Sequence, residues 1–335
     1  MARRLPVYLL LDISESMIGP PLESLQNGVK VMVRTLMKNP YAAETLHVGV
    51  ITFAGRAETA VPLTDLMSFT PPRLSVRPGT SLGAALRRCR ISIDRDVEVN
   101  TLQRKGDFKP IVFVMTDGEP TDEWRDAARE LRERSPRPTV ISVGCGDEAD
   151  FDVLRELSGG DAVRVDDLTP ESIQSLFAWV STSLDATSRA PGSGVDLSKA
   201  PLGRGLTLVK KGEAVGRNAC SRLFLNVTCA ETGKMYVAVY RAPASGNTYT
   251  FLGAHKAPDD FCSDGEARGA VESGIRLIGN QECPYCGAKT LFTCKVCKNT
   301  YCFRYGPKTV DCPGCDKTYA VAYRSSGSTV YPSQG

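Results

Sequence analysis

The chain has 335 residues, of which 42% are hydrophobic and 24% charged, with a formal net charge of +3. That composition is ordinary for globular protein, and the length leaves room for two domains. The charge is too mild to recruit nucleic acid by itself, and no apolar run approaches the ~20 residues needed to span a bilayer.

The opening "MARRLPVYLLLD" carries two arginines and a short apolar run that superficially imitates a signal peptide. The run is too short and lacks a small-residue cleavage site, so it reads as a strand over residues 5–11. A helix over residues 22–38 follows, with Leu22, Leu25, Val29, Met32, Val33, Leu36 and Met37 at helical spacing. Residues 45–53 and 57–63 form a hairpin around Gly55, and the second strand is expected to be antiparallel at a sheet edge, because a tight hairpin cannot make a parallel pair. Residues 81–93 are helical, opened by Gly79 and Thr80. Residues 110–116 ("PIVFVMT") are continuously apolar, as a parallel strand buried on both faces tends to be. A charged helix over 122–134, capped by Thr121 and with Asp122 and Glu123 favouring its dipole, leads to a strand at 138–144. A short helix at 150–158, an edge strand at 162–165 and a closing helix at 170–185 with Ile173, Leu176, Phe177 and Val180 complete the series. Alternating β and α elements predict an α/β domain over residues 1–186 with a doubly wound, mostly parallel sheet.

Residues 187–205, "TSRAPGSGVDLSKAPLGRG", have the Gly, Ser and Pro content of a flexible linker. The character then changes to a β-rich domain over 206–325. It has three alternating strands within 221–256, turn chemistry at Thr232-Gly233 and Ser245-Gly246-Asn247, and a small zinc-ribbon-like end. Residues 326–335 have the composition of a disordered tail.

Oxygen side chains stand at three separated places: Asp12, Ser14 and Ser16 in "LLLDISESM", Thr80 in "RPGTSLG", and Asp117 in "VFVMTDGEP". Two of these clusters directly follow apolar strands. In an α/β sheet, ligands bind at the carboxyl ends of the strands, so the residues should converge on one edge. Two carboxylates and three hydroxyls suit a hard divalent cation such as Mg²⁺. Taken singly, each cluster is a cap or turn signal. Taken jointly and in this order, they resemble the metal-ion-dependent adhesion site of von Willebrand factor A domains, over roughly residues 5–185. That resemblance implies Mg²⁺ (or Mn²⁺) on Asp12, Ser14, Ser16, Thr80 and Asp117, with one coordination position left for an Asp or Glu of a partner protein. Glu119 and the loop after it would shape the rim of that site.

Of 12 cysteines, only Cys89 and Cys145 precede residue 200, and seven crowd into residues 283–315. Clustered Cys-x-x-Cys pairs point to a reducing, cytoplasmic setting and to zinc rather than disulfides. The pairs are Cys283/Cys286, Cys294/Cys297 and Cys312/Cys315, with Cys302 alone. The simplest arrangement joins Cys283 and Cys286 with Cys312 and Cys315. Cys294, Cys297 and Cys302 would then hold a second zinc, completed by Cys262, His255 or a group that spacing does not reveal, so one or two zinc ions are expected. Pairing of Cys283/Cys286 with Cys294/Cys297 stays open. Cys220 and Cys229, on or near strands, read as small buried apolar residues. His47, inside a strand, reads as a packed residue.

An A-type domain followed by a β-rich cysteine domain resembles the TerY family of tellurite-resistance proteins. The resemblance implies a non-enzymatic adaptor working with a protein kinase and a metal-dependent protein phosphatase in stress resistance. Two other classes fit parts of the sequence. A zinc-ribbon nucleic-acid binder would use Arg276, Lys289, Lys295, Lys298, Arg304, Lys308, Lys317 and Arg324, with Tyr301, Phe303 and Tyr305; such charges are usually a solvated face. A Mg²⁺-dependent hydrolase ranks lowest, because no general base stands beside the oxygen cluster.

Overall fold

The computed structural model describes residues 3–117, 120–145, 149–166, 169–189, 202–213, 222–241, 247–259, 261, 276–279, 281–304, 306 and 309–320. The chain divides into two compact units at Arg217/Asn218.

The first unit is built on a seven-stranded sheet. Strand β1 (Leu5–Asp12) lies at its centre and is buried along its whole length. Its alternate residues feed two separate cores. Leu5, Val7, Leu9 and Leu11 face one side, while Tyr8 and Leu10 face the other. That two-sided burial is why the strand reads as a continuous apolar run. Beside it lie β2 (Leu46–Phe53) and β4 (Ile111–Thr116), both parallel to β1. β3 (Ala57–Asp65) folds back antiparallel on β2 as an edge strand. On the other side follow β5 (Thr139–Cys145) and β6 (Ala162–Val165), both parallel, and then β7 (Leu206–Val209), antiparallel. The order is β3-β2-β1-β4-β5-β6-β7.

Helices α1 (Pro20–Leu36), α2 (Pro40–Thr45) and α6 (Pro170–Arg189) surround one face. There Leu25, Val29, Met32 and Val33 meet Ile173, Leu176, Phe177 and Val180 over the odd residues of β1. Helices α3 (Leu82–Asp96) and α4 (Arg125–Glu133) cover the opposite face with Leu86, Cys89, Ile93, Ala128 and Leu131. Helix α5 (Phe151–Ser158) packs beside β5. Because β2 and β4 flank β1 on opposite sides, the carboxyl ends of β1 and β4 form the sheet's topological switch point, where open α/β sheets bind ligands.

Four details depart from the sequence reading. β6 is not the edge, because residues 206–209 pair with it and belong to this unit rather than to the second. The closing helix runs on to Arg189, into the expected linker, whose residues 190–201 lie outside the described residues. Helix α2 was not foreseen, although Asn39 marks its start by accepting hydrogen bonds from the Tyr41 and Ala42 amides. Helix α4 begins only at Arg125, so Thr121, Asp122 and Glu123 precede it, and Asp122 caps a different helix.

The second unit carries a six-stranded sheet. β8 (Arg222–Cys229), β9 (Met235–Arg241) and β10 (Thr248–Lys256) form an antiparallel meander. β11 (Arg276–Ile278) adds parallel to β10. The hairpin β12 (Thr290–Thr293) and β13 (Thr300–Phe303) docks with β13 parallel to β8. A separate ribbon pairs β14 (Thr309–Asp311) with β15 (Thr318–Ala320). Among the described residues its core holds Leu225, Val227, Tyr236, Ala238, Tyr240, Leu277 and Leu291, together with several cysteines. The Ser245-Gly246 turn and the tail at 326–335 lie outside the described residues. Among the described residues, no helix is long and apolar enough to cross a membrane.

Candidate metal centres

The switch point of the first sheet brings Asp12, Ser14, Ser16 and Asp117 together. Asp12 is the last residue of β1, and Asp117 directly follows β4. The Asp12 carboxylate accepts from the Ser14 amide at 2.9 Å and from the Thr116 hydroxyl at 2.5 Å. Ser14 Oγ and Ser16 Oγ share a hydrogen bond of 2.9 Å, and Ser16 Oγ donates to Asp117 Oδ1 at 2.6 Å. A continuous chain of polar contacts thus runs from one carboxylate to the other. The Thr80 loop is held against the same place. Arg77 N donates to Ile13 O at 2.8 Å, Gly79 N to Glu15 Oε2 at 2.8 Å, and Thr121 N to Thr80 O at 2.9 Å. Asp12, Ser14, Thr80 and Asp117 are buried, and Ser16 is half-buried.

Burial, and next the negative charge of Asp117, push the Asp12 carboxyl up to about 7. Both carboxylates are buried, with the Thr116 hydroxyl donating to Asp12 and the Ser16 hydroxyl to Asp117. A divalent cation relieves both costs, since it compensates the charge and replaces lost hydration with oxygen ligands. The donor set fits such an ion. Glu119, expected at the rim, lies outside the described residues.

The family model of the von Willebrand factor type A domain matches residues 7–178, more than half of the chain. The chain belongs to the von Willebrand factor type A domain family. Solved structures with a similar arrangement include proximal thread matrix protein 1 from the mussel byssus, at 21% identity and a TM-score of 0.41. That match covers 54% of this chain but only 48% of the mussel chain, so this chain spans about half the length of that relative. One structure of the mussel protein has a zinc-occupied MIDAS motif. BatB from Bacteroides thetaiotaomicron matches at 22% identity and a TM-score of 0.38, over 55% of this chain and 99% of its own. A von Willebrand factor type A protein from Catenulispora acidiphila matches at 15% identity and a TM-score of 0.44, over 76% of this chain and 66% of its own. None of the curated proteins compared matches the sequence. Type A domains bind divalent metals and mediate protein interactions, and the fold is typically non-catalytic.

Beyond the type A domain, eight thiols gather into two groups of four, each with its sulfurs within 4.8 Å of one another. The first group is Cys229, Cys283, Cys286 and Cys302; the second is Cys294, Cys297, Cys312 and Cys315. The sulfur contacts Cys286–Cys302, Cys294–Cys315 and Cys297–Cys312 each measure 3.5 Å. Four thiolates at about 2.3 Å from a tetrahedral Zn²⁺ stand about 3.8 Å apart, so either group has the size of a structural zinc site.

This grouping corrects the pairing expected from spacing. Cys283 and Cys286 gather with Cys302 rather than with Cys312 and Cys315, and the fourth thiol of that group is Cys229. His255 sits on β10 and belongs to neither group, while Cys220 and Cys262 lie outside the described residues. Strand pairing supplies the reason: β13 docks on β8 with Cys302 directly opposite Cys229.

Cys229 also shares a backbone signature with three knuckle cysteines. Cys229, Cys283, Cys294 and Cys312 each donate their amide to the carbonyl five residues on, at 2.8, 2.8, 2.9 and 2.9 Å. Each also accepts, through its own carbonyl, from the amide four residues on, which belongs to Gly233, Gly287, Lys298 and Asp316. Those four residues all have positive φ, between 55° and 72°. Cys229-Ala-Glu-Thr-Gly is thus a knuckle with Thr232 where the others place a second cysteine. Glycine four residues after a cysteine, in 229–233 as in 283–287, was the sequence signal for it.

The surroundings favour thiolates at two positions. Burial opposes ionisation of Cys229, but the Thr232 hydroxyl and amide and the Glu231 amide outweigh it and bring the thiol down to about 7. Burial likewise opposes ionisation of Cys294. There the Tyr319 hydroxyl, 3.1 Å from the sulfur, and the Cys297 and Val296 amides prevail and bring it to about 6. Thiolate is the form that binds zinc.

Proposed function

We propose that the protein is a non-enzymatic, metal-dependent interaction adaptor. Its type A domain holds one Mg²⁺ or Mn²⁺ through Asp12, Ser14, Ser16, Thr80 and Asp117, and the ion receives an Asp or Glu side chain from a partner protein. The second unit holds two Zn²⁺ ions in its two cysteine groups, as structural supports. The observation that carries this reading is the unbroken contact chain Asp12–Ser14–Ser16–Asp117 at the switch point. Three of the five ligands are neutral hydroxyls, and an open coordination position lets an incoming carboxylate gain a direct bond to the ion. The resemblance to TerY-like proteins supplies the partners, a protein kinase and a metal-dependent protein phosphatase, and the setting, tellurite and stress resistance in the cytoplasm.

Affinity purification from the native host in Mg²⁺ against excess EDTA, across a salt series, tests the reading. Partners are expected to be released by EDTA and by Thr80→Ala, and to tolerate salt better than a screened surface ion pair. Partners that stay bound in EDTA contradict it. Loss of binding with salt alone, with nucleic acid recovered, favours the nucleic-acid class instead.

A further inference from the structure

The segment after β4 carries Asp117 and then does something its sequence does not announce. Thr121 and Asp122 reach back to the loop and helix that carry Thr80. Asp122 accepts from the Gly83 amide through Oδ1 and from the Ala84 amide through Oδ2, each at 2.8 Å. Thr121 closes a ring around Thr80 itself, because its amide donates to Thr80 O at 2.9 Å and its Oγ1 accepts from Thr80 N at 3.2 Å. Arg87 joins from the next turn of α3, with Nη1 3.2 Å from Glu123 O and Nη2 3.4 Å from Asp122 Oδ2.

From the other side, the Thr80 loop is held by the β2–β3 turn. Gly55 N donates to Pro78 O at 2.5 Å, Ser81 N to Ala54 O at 2.5 Å, and Ser81 Oγ to Gly55 O at 2.8 Å. The packing leaves no slack. A Cβ on Gly83 would lie 2.2 Å from Glu123 O, and one on Gly79, which has φ +86°, would lie 2.9 Å from Gly55 Cα. Helix α3 makes no side-chain cap with its own Ser81, so the acceptor for its first amides comes from the segment that carries Asp117.

We propose that Asp122, assisted by Thr121, is a positioning residue for the cation site. It clamps the Thr80 loop to the Asp117 segment, so that the two ligand loops keep one spacing. This inference rests on the cation reading above. A carboxylate bridging two amides at a helix start is a charge-assisted contact. Without it, Thr80 must be ordered by the ion at the moment of binding, and that cost appears in the ion's affinity. Supporting residues around metal ligands commonly matter about 10–100-fold in affinity.

The test is a double-mutant cycle on the full-length protein, read by calorimetric titration with MgCl₂. Asp122→Ala is expected to weaken Mg²⁺ about tenfold or more. Asp122→Asn, which keeps one acceptor oxygen, is expected to lose less. In a Thr80→Ala background, Asp122→Ala is expected to cost nothing further, because the residue it positions is gone. Thermal melts in EDTA identify variants that fold like the parent, and Asp122→Asn serves if Asp122→Ala does not. Affinity within twofold of the parent for the folded Asp122 variants overturns the inference while leaving the cation reading intact, as do losses that multiply in the double variant. A parent protein that takes up no Mg²⁺ overturns both.

Discussion

Cys302 stands directly across from Cys229 where β13 runs parallel to β8, and the two thiols belong to one group of four. The contact that docks the β12–β13 hairpin on the meander therefore also brings together two thiols of the proposed zinc site. Cys229→Ser is expected to lower the zinc content by one ion per chain, as measured by elemental analysis of protein purified without chelator. The second group, drawn from Cys294, Cys297, Cys312 and Cys315, should keep its ion. An unchanged content would return Cys229 to the role of a buried apolar residue.

Chelation should separate the two units. Among the described residues of the second, cysteines stand in the core beside a few aliphatic and aromatic side chains. Zinc in finger peptides is worth roughly 10–16 kcal/mol at neutral pH, enough to dominate such a unit. A strong zinc chelator is expected to open residues beyond 217 to proteolysis while the seven-stranded sheet of the first unit stays protected. Equal resistance before and after chelation would show that the second unit folds without metal.

Two knuckles use a non-glycine residue at positive φ, Lys298 at 60° and Asp316 at 55°. A side chain in that region costs about 1 kcal/mol, which glycine avoids at the expense of chain entropy. Lys298→Gly is expected to raise stability of the zinc-loaded unit by up to about 1 kcal/mol, read as the midpoint of denaturant unfolding. A marked drop would mean that the lysine side chain makes a contact worth more than the strain it imposes.

Cys89 is fully buried in the core between the sheet and α3, and burial pushes its thiol well above the usual range. The sign is plain: a raised pKa keeps the group as unreactive thiol as pH rises through neutrality, and thiolate is the nucleophile. Alkylation at pH 7–8 followed by peptide mass mapping should leave Cys89 unlabelled in native protein and label it after unfolding. The cysteines of the two groups should gain label on chelation alone.

The sheet was legible because β1 and β4 carry unbroken apolar runs and the helices that cover them keep apolar residues at helical spacing. The place of the candidate oxygen cluster was legible because Asp12 and Asp117 end apolar runs, and an open α/β sheet gathers the loops at its strand ends. What escaped was set by tertiary pairing. β7 follows a stretch with linker composition, yet it completes the sheet by pairing with β6. Asp122 precedes α4, so it read as a cap for that helix, but it spends its carboxylate on α3. Cys229 lies more than fifty positions before the other thiols of its group, and only the register of β8 and β13 makes it their neighbour. Spacing along the chain carries no information about such a contact.

The most direct measurement of the central claim is a calorimetric titration of the full-length protein with MgCl₂, beside the Asp12→Ala variant. Asp12 ends β1 and belongs to neither apolar core, so Asp12→Ala should fold normally by circular dichroism. The account predicts one saturable Mg²⁺ site in the parent protein and none in Asp12→Ala. Equal Mg²⁺ affinity in the two proteins, or no saturable site in the parent, would contradict it.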